Sequence, residues 1–465
     1  MAVNVVPAPA AGTRARAYGL ALAVLLAGET AAFATLLHNT SSTHHSLLLA
    51  TLTTPMFCSA VWLLALLRLP ARRAVALVLG GGAVLQVVAL TQQPLTSDDD
   101  YRYIWDGTVQ LAGVDPYRYA PQSPALDYLH NRLLFGTPGH CGHLIPAGCT
   151  AINRPAVHTV YPPVAQGLFD LVRIVSFGGH GGRLPFQIAA AIGALTIAGL
   201  LAHHCVLRSR PIWLVALWAW CPVTVSEFGN NAHIDWFAVL LTVLALAACA
   251  RGRAGLAGLL LGAAVATKLY PIFVLPSLLR RRPGVVLAAA AALIAASYVP
   301  HVFAVGTKVV GFLPGYLHQE GYSSGSRLLL LDAALPASVG LALGVVIAGA
   351  VAYWAYRHSD PDVPEVTAVV VVGTAFLIAT PNYGWYAALL IALVVMSGSW
   401  EWMPVAVAPT FTYLYRGEWL HTGIPSSAIY AMAAVLTGTA YLLRKRNAIA
   451  HPPGLAARET TRGRP

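Results

Sequence analysis

Stretches of about twenty apolar residues recur along the whole chain, separated by short clusters of arginine, and no water-soluble fold can bury so many of them. Each has the length of a helix crossing a hydrocarbon core of roughly 30 Å, about 17–25 residues. A helix satisfies its own backbone polar groups, so lipid can take the place of water around it. The charge content agrees: 10% of the 465 residues are charged and 57% hydrophobic, with mean hydropathy +0.64, whereas soluble domains are about a quarter charged. The expected class is all-α, a polytopic membrane protein.

The net charge of +11 does not point to nucleic acid as a partner, because the basic residues lie in short groups between apolar runs: Arg14 and Arg16, Arg68 to Arg73, Arg208 and Arg210, Arg251 and Arg253, Arg280 to Arg282, and Arg444 to Arg446. Such groups mark cytoplasmic loops. The first apolar run contains Glu29 and lacks a small-residue cleavage site, so it is expected to be a retained helix. From an inside start, spans are expected near 17–37, 46–67, 73–93, 186–207, 211–228, 234–250, 285–304, 337–356, 364–380, 385–398, 403–415 and 425–443, twelve in all. The stretch 254–279 has arginine at both ends and is too short for two spans, which predicts a re-entrant hairpin with Lys268 and Pro271 near its tip. Residues 1–16 and 444–465 become cytoplasmic tails, and 17–443 one transmembrane domain with a large external loop at 94–184.

Four segments at the outer face hold most of the polar and aromatic sequence: SDDDYRYIWDGTVQLAGVDPYRYAP with INRPAVHTVYPP, then EFGNNAHID, GYLHQEGYSSGSR and TPNYGWY. Transporters usually place their polar residues near the midplane; polarity at the outer interface suggests chemistry there. Asp98, Asp99 and Asp100 repel one another, so one is expected to be protonated or paired, and a carboxylate with a raised pKa is a suitable general base. A solvated helix-capping turn, or a site for a hard cation, are the other readings. A divalent cation is possible there but not expected, and no cofactor is required. Tyr103, Trp105, Tyr117 and Tyr161 offer aromatic faces for sugar rings. Asn231, His233 and Asp235 form a polar triplet for which capping by Asp235 is simpler than metal binding. Asn382 and Trp385 suit either sugar contact or an interfacial belt. Cys141 and Cys149 are the only cysteines placed outside, where a disulfide is expected, with zinc held together with His140 and His143 as the rival.

The string around Asp99, Tyr103 and Gly113-Val114-Asp115-Pro116-Tyr117 resembles the first external loop of bacterial GT-C superfamily glycosyltransferases, multi-pass enzymes with polyprenyl-phosphate sugar donors. The nearest likeness is to actinobacterial α-mannosyltransferases of lipoglycan assembly, and ATKLYP and the later outer segments share it. The resemblance implies a GT-C fold in the bacterial plasma membrane with the site facing the periplasm. It also implies transfer of mannose from polyprenyl-phosphate mannose to a glycolipid or glycan hydroxyl, with inversion. Asp99 is then the base with Asp98 beside it. Arg327, His318 and Lys268 are candidates for the donor phosphate, and Asp106, Glu320, Tyr322 and His233 join the aromatic residues as sugar or acceptor contacts. An interface arginine at 327 and a structurally paired Lys268 remain open. So do another lipid-linked sugar, such as arabinofuranose or galactosamine, a lipid-linked glycan flippase, and a polymer ligase.

Overall fold

A computed structural model of the chain describes residues 11–36, 43–91, 94, 96–136, 149–176, 182–418 and 425–450. Among them the architecture is all-helical. The main helices are α1 (Ala11–Leu36), α2 (Thr43–Leu67), α3 (Ala71–Leu90), α4 (Asp99–Leu111), α5 (Pro163–Val175), α6 (Leu184–Leu207) and α7 (Trp213–Ala219). They continue with α8 (Asp235–Ala250), α9 (Ala254–Val265), α10 (Pro283–Val305), α11 (Leu313–Gln319), α12 (Ala337–His358), α13 (Glu365–Ala379), α14 (Ala387–Ser397), α15 (Met403–Glu418) and α16 (Ser426–Ala450).

Proline punctuates this order. Pro70, Pro162, Pro336 and Pro364 stand immediately before helices, and Pro163, Pro185 and Pro283 occupy first-turn positions. There the missing N–H has no helical partner to lose and the fixed φ already suits a helix. Among the described residues, seven helical segments are long and apolar enough to cross a membrane, and α8, α9, α13 and the Gly384–Ser397 segment are shorter apolar helices.

Packing separates the helices into two kinds. Every residue of α14 is buried, as expected for a helix that is apolar all round and enclosed by other helices. By contrast, α10 fully buries only Val286 and leaves Phe303 bare, the surface of a helix whose solvent is lipid. Where α9 meets α10, Gly258 and Gly262 let the backbones close up: a Cβ would stand 2.4 Å from the Val286 carbonyl oxygen at the first and 2.6 Å from that of Ala290 at the second. Small residues four apart serve the same purpose in other membrane helix pairs.

One expected span is interrupted, and the stretch expected as a hairpin is not one continuous helix. The 211–228 stretch stops at Ala219, steps at Pro222 and ends in a π-helical turn, Val225–Asn230. Pro222 has no N–H to continue the helix. The 254–279 stretch breaks after Val265 into a non-helical link and short turns at Tyr270–Val274 and Leu275–Leu278. The last helix runs through Arg444–Arg446 to Ala450, past the expected boundary at 443. In the 94–184 region α4 and α5 pack together over a second apolar core, separate from that of the bundle, which contains Tyr103, Trp105, Phe135, Phe169 and Phe186.

Candidate active site

The three adjacent carboxylates, at the start of α4, fall into different environments. Asp100 is fully buried and held by Arg183, whose Nη2 donates to Oδ1 at 2.8 Å while Nε donates to the other oxygen. Asp98 and Asp99 share one donor: Asn153 Nδ2 stands 2.8 Å from Asp98 Oδ1 and 2.6 Å from Asp99 Oδ1. Tyr161 donates its hydroxyl to Asp99 Oδ2 at 3.1 Å. Burial, with Asp99 and Asp100 alongside, lifts the Asp98 carboxyl above its usual range against the pull of Asn153. Asp99, the first residue of the helix, sits where the peptide dipoles favour an anion.

Both carboxylates line a cavity of about 660 Å³. One wall is INRPAVHTVYPP, giving Asn153, Arg154 and Tyr161; another is aromatic, with Tyr316, Tyr322, Tyr383, Trp385 and Tyr386. Lys268 enters from the break after α9. There the chain leaves the helix, and the start of α5 leans on it through Val164 N–H to the Ala266 carbonyl, 3.0 Å. The Lys268 ammonium lies 3.2 Å from Asp235 Oδ2 and over the rings of Tyr161 and Trp385, at 5.4 and 5.6 Å. This gives the cavity a carboxylate end, a cationic point and an aromatic floor, which are parts suited to a sugar phosphate.

Of the residues singled out from sequence, Asp98, Asp99, Tyr161, Lys268, Tyr322 and Trp385 line the cavity. Others lie elsewhere. Tyr103 stacks on Phe169 at 4.6 Å and Trp105 meets Phe135 at 5.0 Å, both inside the outer core. Asp106 takes hydrogen bonds from Arg102 (3.0 Å), Thr159 (2.6 Å) and Gln166 (2.9 Å), tying α4 to α5. Tyr117 donates to the Tyr161 carbonyl at 2.7 Å, while Asp115 meets His301 of α10 at 2.7 Å; the GVDPY string braces the loop. Arg327 is buried behind Tyr322, its Nε and Nη2 without a hydrogen-bond partner among the described residues. His318 is exposed and Asn382 buried. Glu320 accepts from Tyr383 at 2.6 Å, one layer behind the wall. Asp235 is not an N-cap: it is the first residue of α8 and pairs with Lys268. Cys149 is disulfide-bonded, whereas Cys141, His140 and His143 lie outside the described residues. Cys149 should therefore resist maleimide in native protein until a reductant is added; labelling beforehand would contradict the bond. Among the described residues, no group of three or more His, Cys, Asp or Glu side chains is placed to hold a metal ion.

Sequence reasoning missed Asn153, Arg154, Arg183 and Glu227. The first two and Glu227 lie within the outer segments, but nothing local distinguishes them; their roles come from contacts across 54–166 positions of chain. Glu227 is carried by the π-helical turn, a distortion common at functional sites. Its Oε2 stands 2.7 Å from Nδ1 of fully buried His233, off the line of the N–H. The opposite ring nitrogen, Nε2, lies 3.0 Å from Ser97 Oγ and 3.9 Å from Asp99 Oδ2. Burial draws the His233 pKa down, but Glu227 and Asp99 outweigh it and leave it above its ordinary value.

Gly384 closes this arrangement. A Cβ there would fall 2.2 Å from Glu227 Oε1 and 3.1 Å from Thr410 Oγ1. Gly384→Ala is expected to cost about 1–3 kcal/mol as an overpacked site and to lower turnover. Thermal unfolding in detergent checks it, and an unchanged midpoint would contradict the close packing.

No curated protein and no solved structure matches the chain. A family model does, over residues 160–381, just under half of the sequence. The matched part contains Tyr161, Glu227, His233, Asp235, Lys268, Glu320, Tyr322 and Arg327, and begins after Asp98, Asp99 and Asn153. Over that region the chain is similar to glycosyltransferase family 87, a GT-C-type family of membrane glycosyltransferases.

Proposed function

We propose that the chain is an inverting membrane glycosyltransferase that moves a sugar, mannose in the first instance, from a polyprenyl-phosphate donor to a glycolipid or glycan hydroxyl at the outer face of a bacterial plasma membrane. The topology that goes with this reading has twelve spans and a hairpin over 254–279. The observation that carries it is the Asp98–Asp99 pair, joined by Asn153, at the wall of an aromatic cavity that also holds Lys268.

In this reading Asp99 takes the acceptor proton as the oxygen attacks the anomeric carbon, and the phosphate leaves without needing one. Lys268 and Arg154, two of the cations on the cavity wall, meet the developing phosphate charge; Arg102, also on the wall, is engaged by Asp106, and Arg327 and His318 stand further back. Purified protein incubated with radiolabelled polyprenyl-phosphate mannose, arabinofuranose and galactosamine, with membrane lipid extract as acceptor, tests the proposal. The expected result is transfer from one of these, with α linkage from a β-linked mannosyl donor. Transfer from a nucleotide sugar alone, or from none, would overturn it.

A further inference from the structure

We propose that His233, held by Glu227, is a second proton carrier: it receives the acceptor's proton from Asp99 and keeps it until the products leave. This rests on the glycosyltransferase reading and deepens it. The acceptor O–H bond breaks as the O–C1 bond forms, and the C1–O bond to phosphate breaks with its electron pair remaining on the phosphate. The proton passes from acceptor oxygen to Asp99, then to His233 Nε2. Asp99 returns to a carboxylate, and the imidazolium is balanced by Glu227.

Three observations carry the step. His233 is 0% exposed, so a proton placed there is shielded from water. Its two nitrogens face opposite ways, Nδ1 to Glu227 at 2.7 Å and Nε2 toward Asp99 Oδ2 at 3.9 Å, with Ser97 Oγ 3.0 Å from Nε2. A carboxylate behind an imidazole fixes the ring and stabilises its charged form. Finally, Gly384 leaves the Glu227 carboxylate the room it occupies. The other charged groups around the ring are already paired: Asp100 with Arg183, and Asp235 with Lys268. Trp385, 4.2 Å away centre to centre, covers the ring from the cavity side. Glu227 is thus a positioning residue acting through His233.

The test is the pH profile of transfer from polyprenyl-phosphate mannose by purified wild type, Asp99→Asn, His233→Gln and Glu227→Gln, with detergent melting curves as a check on folding. His233 must be neutral to accept, so wild-type turnover should fall as pH drops through its pKa. Glu227→Gln removes the charge that favours imidazolium and should move that limb to lower pH. His233→Gln should lower turnover on the order of 10²-fold, the low end for a proton-transfer group, leave KM unchanged, and remove the limb down to about pH 4, where carboxylates themselves protonate. An acid limb at the same pH in wild type and Glu227→Gln, or a rise in KM with unchanged turnover in His233→Gln, would overturn the relay while Asp99→Asn stays inactive. An active Asp99→Asn would overturn the base assignment itself.

Discussion

Asp99→Asn is expected to lose about 10²- to 10⁴-fold in turnover, roughly 3–5 kcal/mol of barrier, with membrane insertion and donor binding retained. Asparagine keeps the size of the side chain and can still meet Asn153 and Tyr161, so folding is not at issue. What disappears is an anion at the start of α4 that faces the cavity. Asp98→Asn should be intermediate, since Asp98 shares Asn153 with Asp99 and its charge bears on its neighbour. A transfer assay on both variants at equal expression decides between them. Retention of more than about a tenth of wild-type turnover by Asp99→Asn, outside the range for a lost base, contradicts the assignment. If Asp98→Asn is the inactive variant, the base is one residue earlier.

The largest loss of stability is expected at the pair that looks least functional. Arg183→Met leaves Asp100 fully buried without its counter-ion. Breaking one partner of a buried ion pair costs about 3–5 kcal/mol, whereas replacing both with neutral groups is often tolerated. The single variant should therefore melt well below wild type, and Arg183→Met with Asp100→Asn should recover much of the difference. The pair joins the start of α4 to the start of α6, so the single variant should also lose transfer activity. A double variant no more stable than Arg183→Met alone, in the same detergent, would show that the pair does not act as a unit.

The helical, membrane-embedded class was legible because lipid imposes one rule on every residue of a span, and that rule is visible in local composition. The break at Pro222, inside an expected span, was less so, whereas a break within 254–279 was expected from the arginines at both its ends. Hydropathy runs straight across Pro222, where the missing N–H ends the helix. For the site, position in the chain singled out Asp98 and Asp99, carboxylates at the outer end of an apolar run, and Lys268, a charge inside one, and all three line the cavity. Aromatic residues were ambiguous. Tyr161 faces the cavity while Tyr103 and Trp105 fill a core beneath it, and an aromatic side chain serves either purpose equally well in sequence. Arg327 stood out as one of few cations in the later outer segments, yet it lies behind Tyr322. Arg154, in a segment rich in proline and aromatic residues, reaches the cavity wall. Glu227 depends on a π-helical turn and on Gly384, 157 positions later, an approach that no local pattern encodes.

Photo-crosslinking with a diazirine-bearing polyprenyl-phosphate mannose tests most directly whether sugar transfer belongs to this cavity, because its readout does not depend on turnover. Mass spectrometry of the labelled wild type and of Asp99→Asn should place the adducts on the cavity wall, in peptides covering 153–162, 268–273, 312–322 and 381–386. Excess unlabelled donor should suppress them. Adducts confined to the lipid-facing surface of α10 and α12, unaffected by unlabelled donor, would contradict the account.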